Sequence, residues 1–326
     1  MPSIPVPNST DFNKRSAMSS ASPLFHGVVP PVVTPLTASL EVDYPSFARV
    51  IEHLIAGGVH ALFVLGSTSE VVFHDEATRR KVLEFAIDRV NGRVPVLAGV
   101  VDPTTDRVIA HARTAQSVGA SAVVATAPFY ARTSAPEVID HFRTLREAID
   151  VPVVAYDIPV CVHFKLDRHT VVTLAREGSI VGLKDSSGDD GNFRYALMDL
   201  ADRPEIMMMT GSEIVCDNAL LMGAHGIVPG LANVDPAGYV RLYDLCRKGD
   251  WTGARREQER LCRLFEMVWV AAPRVSAGSA GVGAFKTAMR RLGIIETNEM
   301  ARPQRALNDA EAAAIETILR QTGLLA

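Results

Sequence analysis

The amino-acid sequence predicts an α/β fold, a (β/α)8 TIM barrel with a C-terminal helical appendage. Three observations predict it. Eight short apolar runs follow one another along residues 27–229. The stretches between them carry apolar residues three and four apart, the signature of one helix face, and the repeat comes at roughly the 30 residues a strand-plus-helix unit needs. The chain's 326 residues leave room for a barrel of about 250 with segments to spare. A doubly wound open sheet is the alternative, but no G-x-G-x-x-G follows the first run, so its usual cofactor signal is missing.

Residues 1–22 are rich in Ser, Pro and Asn and read as a mobile tail. The barrel is expected over 23–250. Its first strand, 27–33, is the weakest, because Pro30 and Pro31 interrupt it. The other strands are expected at 61–65, 95–100, 121–127, 151–156, 180–184, 206–210 and 225–229. Helices are expected at 43–56, 75–90, 104–117, 135–148, 167–176, 190–201, 212–222 and 235–248. Asp43, Asp75, Thr104, Ser134 and Ser212 stand where helix N-caps fall. Residues 251–326 exceed what a barrel needs and carry helical patterns at 251–270, 280–292 and 308–321, with loops around Pro273 and Pro303. No linker sets them apart, so they read as a C-terminal extension packed on the barrel.

Hydrophobic content of 48% with 21% charged residues describes a soluble globular protein with a large core. A net charge of −4 and a pI near 6.1, without any Lys/Arg stripe, argue against nucleic acid or an anionic membrane as partner. No stretch approaches the ~20 apolar residues of a membrane span, and residues 1–22 lack a signal-peptide core. Cys161, Cys216, Cys246 and Cys262 are scattered without C-x-x-C or metal-ligand spacing. No metal site is expected, and a reducing cytoplasm is the simplest setting.

Lys184 is the most informative residue. It closes the apolar run Ile180-Val181-Gly182-Leu183 and opens into Asp185-Ser186-Ser187-Gly188. A strand covered on both faces has little tolerance for a lysine unless the site uses it. Burial disfavours an ammonium and frees an amine to attack a carbonyl. The alternative is a lysine that reaches solvent or pairs with Asp185. Other strand ends carry Gly66-Ser67-Thr68-Ser69-Glu70, Pro128-Phe129-Tyr130, Tyr156-Asp157-Ile158-Pro159 and Gly211-Ser212-Glu213. Taken singly, a G-S-T-S string is a turn and a strand-end tyrosine is a half-buried core residue. Their joint placement on the carboxyl face of one barrel marks a site.

With these motifs and A-F-K-T-A-M-R-R-L-G at 284–293, the chain resembles the dihydrodipicolinate synthase/N-acetylneuraminate lyase family, the pyruvate-dependent class I aldolases, from about Gly27 to Leu325. The resemblance implies a Schiff-base-forming lyase or aldolase that cleaves or forms a C–C bond between pyruvate and an aldehyde, with a substrate of the 2-keto-3-deoxy sugar acid type. It implies an imine on Lys184 and no separate cofactor. Tyr156 matches the proton-relaying tyrosine, Thr68 the threonine that links it to a second tyrosine, and Tyr130 that second tyrosine, which reaches into a neighbouring subunit's site. Ser67 and Thr68 match the cradle for the pyruvate carboxylate, and Gly211 and Val228 the floor and wall of the pocket. A homo-oligomer, dimer or dimer of dimers, follows. The residue types agree with this chemistry: an imine is a cationic electron sink, and a tyrosine held by hydroxyls shuttles protons.

The departures bear on substrate. Where family members acting on aspartate semialdehyde carry an arginine after Y-N-x-P, this chain has Cys161, and His163 replaces a glycine. A cysteine cannot supply arginine's bidentate grip on a second carboxylate. Ser69 also stands where glycine is usual. Cys161 and His163 are candidate substrate-binding positions, although Cys161 reads better as a buried small hydrophobe and His163 as a structural or substrate-distal histidine. Dihydrodipicolinate synthase itself, a hydratase or dehydratase using the same imine, and a non-catalytic ligand-binding barrel are the alternatives.

Overall fold

The structure, a computed structural model, describes residues 24–272 and 274–326. The tail expected at 1–22, and Pro273, lie outside the described residues.

Eight strands alternate with helices: β1 (Gly27–Val28), β2 (Leu62–Val64), β3 (Val96–Gly99), β4 (Ala122–Thr126), β5 (Val153–Asp157), β6 (Gly182–Asp185), β7 (Met207–Thr210) and β8 (Gly226–Ile227). All neighbouring pairs are parallel, in the order β1-β8-β7-β6-β5-β4-β3-β2. The helices are α1 (Tyr44–Ala56), α2 (Glu76–Val90), α3 (Thr105–Ser117), α4 (Ala135–Glu147), α5 (Pro159–Val162), α6 (Arg168–Glu177), α7 (Asp190–Asp199), α8 (Cys216–Leu221), α9 (Pro236–Lys248), α10 (Trp251–Phe265), α11 (Ala277–Arg291) and α12 (Asp309–Gln321). The fold is a (β/α)8 barrel with C-terminal helices.

The prolines of the first strand have the expected cost. β1 contracts to two residues, and the ring closes against β2 through one parallel bridge, Pro31 to Phe63. Around it, the Val32 amide donates to the Phe63 carbonyl at 2.8 Å and the Phe63 amide to Pro30 at 3.0 Å. Proline brings no N–H to a ladder, and a buried side chain makes up the deficit. Asn233 accepts from the Val33 amide at 3.0 Å and donates to the carbonyls of Pro31 and Gly230, each at 2.8 Å.

Asp43 and Asp75 cap α1 and α2 by accepting from Ser46 and Thr78. Glu137 accepts from both the amide and the hydroxyl of Ser134 at the start of α4. Thr104 takes the cap position of α3 but makes no side-chain cap bond. Ser212 is not a cap: α8 begins at Cys216, and residues 211–215 stay outside the helix while Glu213 reaches the Leu231 amide. The core runs unbroken from the strands (Val28, Leu62, Val123, Leu183) into the C-terminal helices through Leu261, Leu264, Ala284 and Ile315. Among the described residues, no helix is long and apolar enough to cross a membrane.

Candidate active site

Lys184 sits on β6 between its register partners Tyr156 of β5 and Met209 of β7. It is 5% exposed. Its Nζ lies 3.7 Å from the centroid of the Tyr156 ring and 5.2 Å from that of Phe63. Phe63 belongs to β2, on the far side of the ring of strands, so the amine projects into the barrel lumen. Strand alternation sends Asp185 the other way. Asp185 accepts from the amide and hydroxyl of Ser187 at 2.8 and 2.7 Å, and its second oxygen faces Lys165 at 3.9 Å. Neither reaching solvent nor pairing with Asp185 therefore describes this lysine. Gly211 clears the space beneath it: a Cβ there would stand 3.2 Å from Lys184 Cε and 2.1 Å from Ser186 Oγ.

Tyr156 is buried and meets Phe63 edge-on, ring centroids 6.2 Å apart. Its neighbour Asp157 pairs with Lys165 and accepts from the Leu166 amide at 3.1 Å. Burial pushes the Asp157 carboxyl up, with Lys165 pulling against it. Next to Tyr156 across the sheet is Thr126 of β4, a buried residue whose hydroxyl has no partner among the described residues.

The loop after β2 turns through Ser67–Ser69 and then through Glu70 in a left-handed conformation, φ 59°. Ser67 is exposed and Thr68 half-buried. Ser69, in the place of a glycine, is buried and donates its hydroxyl to the Val32 carbonyl, which fixes the loop to the proline segment. Glu70 anchors the other end. Its carboxylate accepts from the Ala301 amide at 2.7 Å and pairs with Lys286 of α11, which also donates to the Glu299 carbonyl at 2.9 Å. Lys286 is fully buried. The sequence reading quoted it only within a motif; a lysine inside the apolar face of a helix was the signal that could have found this pair.

A cavity of about 400 Å³ opens at this face, with Ser67, Thr68, Thr126, Ile158 and Cys161 in its wall. Cys161 is exposed, not the buried small hydrophobe expected. The short helix α5 buries Val162 and turns Cys161 outward. The protein around the thiol pushes its pKa up, against the pull of the Lys184 charge, so it is no activated nucleophile. His163 ends α5 at φ 56°, the left-handed conformation a glycine suits, and is exposed outside the cavity wall. Val228 is buried after β8, its amide bonded to Thr210. Tyr130 stands 95% exposed at φ 73° and does not reach the site of its own chain.

Glu213 was quoted in the sequence without a role. Its carboxylate accepts from the Leu231 amide and lines a second cavity beside Phe285 and Val282. Burial raises its pKa from 4.5 to about 7, against the amide bonds and the Lys184 charge. Among the described residues, no three His, Cys, Asp or Glu side chains gather so as to hold a metal ion.

Residues 24–322 match the Dihydrodipicolinate synthetase family. The chain belongs to this family. Its members are pyruvate-dependent class I lyases, and this protein is an enzyme of that class. A protein of Halobacterium salinarum named an uncharacterized DapA-like lyase is 35% identical over 310 residues, 95% of this chain and 98% of its own. A 4-hydroxy-tetrahydrodipicolinate synthase of Phenylobacterium zucineum is 30% identical, covering 93% of this chain and 99% of the relative. Among solved structures, YagE, a prophage protein of the family from E. coli K12 in complex with pyruvate, superposes with a TM-score of 0.87 at 29% identity over 92% of this chain and 99% of its own. The dihydrodipicolinate synthase of Bacteroides thetaiotaomicron follows at 0.86 and 31%, over 92% of this chain and 99% of its own. Its relatives in the dihydrodipicolinate synthetase family thus carry both lyase and synthase names.

Proposed function

We propose that the protein joins or splits pyruvate and an uncharged aldehyde through an imine on Lys184. The observation that carries this reading is the Lys184 amine, buried in the lumen against the Tyr156 ring. A pyruvate complex of the relative YagE supports it. The amine adds to the ketone and loses water to an iminium; loss of a C3 proton gives the enamine. The enamine pair then forms the C–C bond to the aldehyde carbon. The aldehyde π pair moves to oxygen, which takes a proton, and water hydrolyses the iminium to release a 4-hydroxy-2-keto acid. Tyr156 is assigned the proton transfers, with Thr68 and the neighbour's Tyr130 as its relay, and Ser67 with Thr68 the carboxylate cradle. Gly211 and Val228 shape the pocket. The 2-keto-3-deoxy sugar acids expected from the resemblance are one substrate of this type; a cytoplasmic homo-oligomer is the setting we propose.

Dihydrodipicolinate synthase is the second reading, carried by the names of the relatives at 30% identity and above. Cys161 speaks against it, for a lost charge-assisted bond of about 1.5–3 kcal/mol is one to two decades in kcat/KM. The test is pyruvate consumption with aspartate semialdehyde against uncharged aldehydes, in wild type and Lys184→Ala. The proposal expects an uncharged aldehyde to lead and the variant to be inactive. Aspartate semialdehyde leading by a decade would install the synthase reading, and an active variant would remove the imine.

A further inference from the structure

We propose that Lys165 is a positioning residue of the imine site: its ammonium joins the carboxylates of Asp157 and Asp185 and fixes the ends of β5 and β6 so that the Tyr156 ring meets the Lys184 amine. The proposal rests on the imine reading above and adds to it a residue acting from behind the strands. β5 and β6 run parallel, with Tyr156 opposite Lys184 and Asp157 opposite Asp185. Side chains alternate along a strand, so the two reacting groups enter the lumen and the two carboxylates stand together on the other side. Asp157 is 0% and Asp185 5% exposed. Like charges directly opposite on neighbouring strands, about 4.8 Å apart, repel, the more so away from water.

Lys165 offsets that repulsion. Its Nζ pairs with Asp157 and lies 3.9 Å from Oδ2 of Asp185. Among the described residues, no other Lys, Arg or His pairs with either carboxylate, while Asp190 at the start of α7 adds a third negative group near Asp185. The lysine is itself clasped in place. Its Nζ donates to the Leu166 carbonyl at 3.1 Å, the Leu166 amide donates to Asp157 at 3.1 Å, and Leu166 is buried. The backbone is tied at the same level, by the Ser186 amide on the Asp157 carbonyl at 2.8 Å and the Gly211 amide on the Asp185 carbonyl at 2.7 Å. Each carboxylate belongs to the residue next after a reacting group. A shift of the strand ends therefore passes straight into the 3.7 Å between the amine and the Tyr156 ring centroid, and misplacement by about 1 Å can cost about 10²-fold in rate. One ammonium between two buried carboxylates also sets a pH dependence. Without Lys165, burial and the Asp185 charge push Asp157 up against the Leu166 amide alone. A proton then keeps the pair together in acid, and its loss parts the strand ends as pH rises.

The test is borohydride quench-flow with saturating pyruvate and no aldehyde. Its amplitude counts folded sites, and the rate constant of imine formation reports their geometry. Lys165→Met should slow imine formation by at least about tenfold at pH ~8, and its rate relative to wild type should fall as pH rises from about 6 to about 9. Adding Asp157→Asn removes one carboxylate along with the cation, and the asparagine oxygen still accepts from the Leu166 amide. The double variant should recover to within about threefold of wild type with a flat ratio across pH. Where Lys165→Met gives no folded protein, Lys165→Gln, which keeps a neutral donor, is read on the same terms. A lowered amplitude with an unchanged rate constant and pH ratio would reduce Lys165 to a stabilising pair and overturn the proposal. So would a double variant as slow and as pH-sensitive as the single one. Either result, with wild-type trapping intact, leaves the imine reading standing; no trapping in the wild type removes that reading and the proposal together.

Discussion

Tyr156 presents its ring to the lysine amine, so removing the hydroxyl alone separates packing from proton transfer. Tyr156→Phe should still trap pyruvate while turnover falls by about 10²–10⁴-fold, the usual contribution of a positioned acid–base group. A fall below about threefold in single-turnover assays would make Tyr156 a packing residue. Glu213 supplies a second residue-scale prediction. Its folded pKa is raised from 4.5 to about 7 by burial. The folded state then holds this proton more tightly than the unfolded one, so stability falls as pH rises through that interval. The cost is absent below the lower value and complete above the upper. Glu213 is only partly buried, so solvent screens the charge and the cost is at most about 3 kcal/mol. Glu213→Gln should flatten the pH dependence of the urea midpoint between about pH 5 and pH 8. Parallel curves for variant and wild type would mean that Glu213 titrates ordinarily.

At the scale of elements, the strands were legible because parallel strands buried on both faces read as plain apolar runs, and the run ending in Lys184 was the clearest of them. The start of α8 was not legible, and Ser212 read as a cap that it is not. A hydroxyl ahead of an apolar stretch mimics a cap, yet the chain runs on to Cys216 so that Glu213 can reach the Leu231 amide. Helix α5 was also missed, because four residues carry no periodicity, though Pro159 at its first position was a start signal. The Glu70–Lys286 pair was hidden by distance: its members lie 216 positions apart and meet only when α11 docks beside the loop after β2. Breaking such a pair leaves a buried charge uncompensated. Lys286→Met should cost about 3–5 kcal/mol and raise KM for pyruvate, since the Ser67–Thr68 loop loses its anchor. A KM equal to wild type in the folded fraction would confine the pair to stability.

The whole molecule leaves Tyr130 almost entirely exposed in a strained backbone conformation, which a lone chain has no reason to maintain. Sedimentation should find at least a dimer at assay concentration, and a fully active monomer would refute a shared site. The family, the barrel and the lumen lysine meet in one chemical claim, the imine. Incubation with pyruvate and borohydride, followed by peptide mass mapping, tests it most directly. The account predicts one reduced pyruvyl group, on Lys184, and none in Lys184→Ala. A group carried instead by Lys165 or Lys286, or no group at all in the wild type, would contradict it.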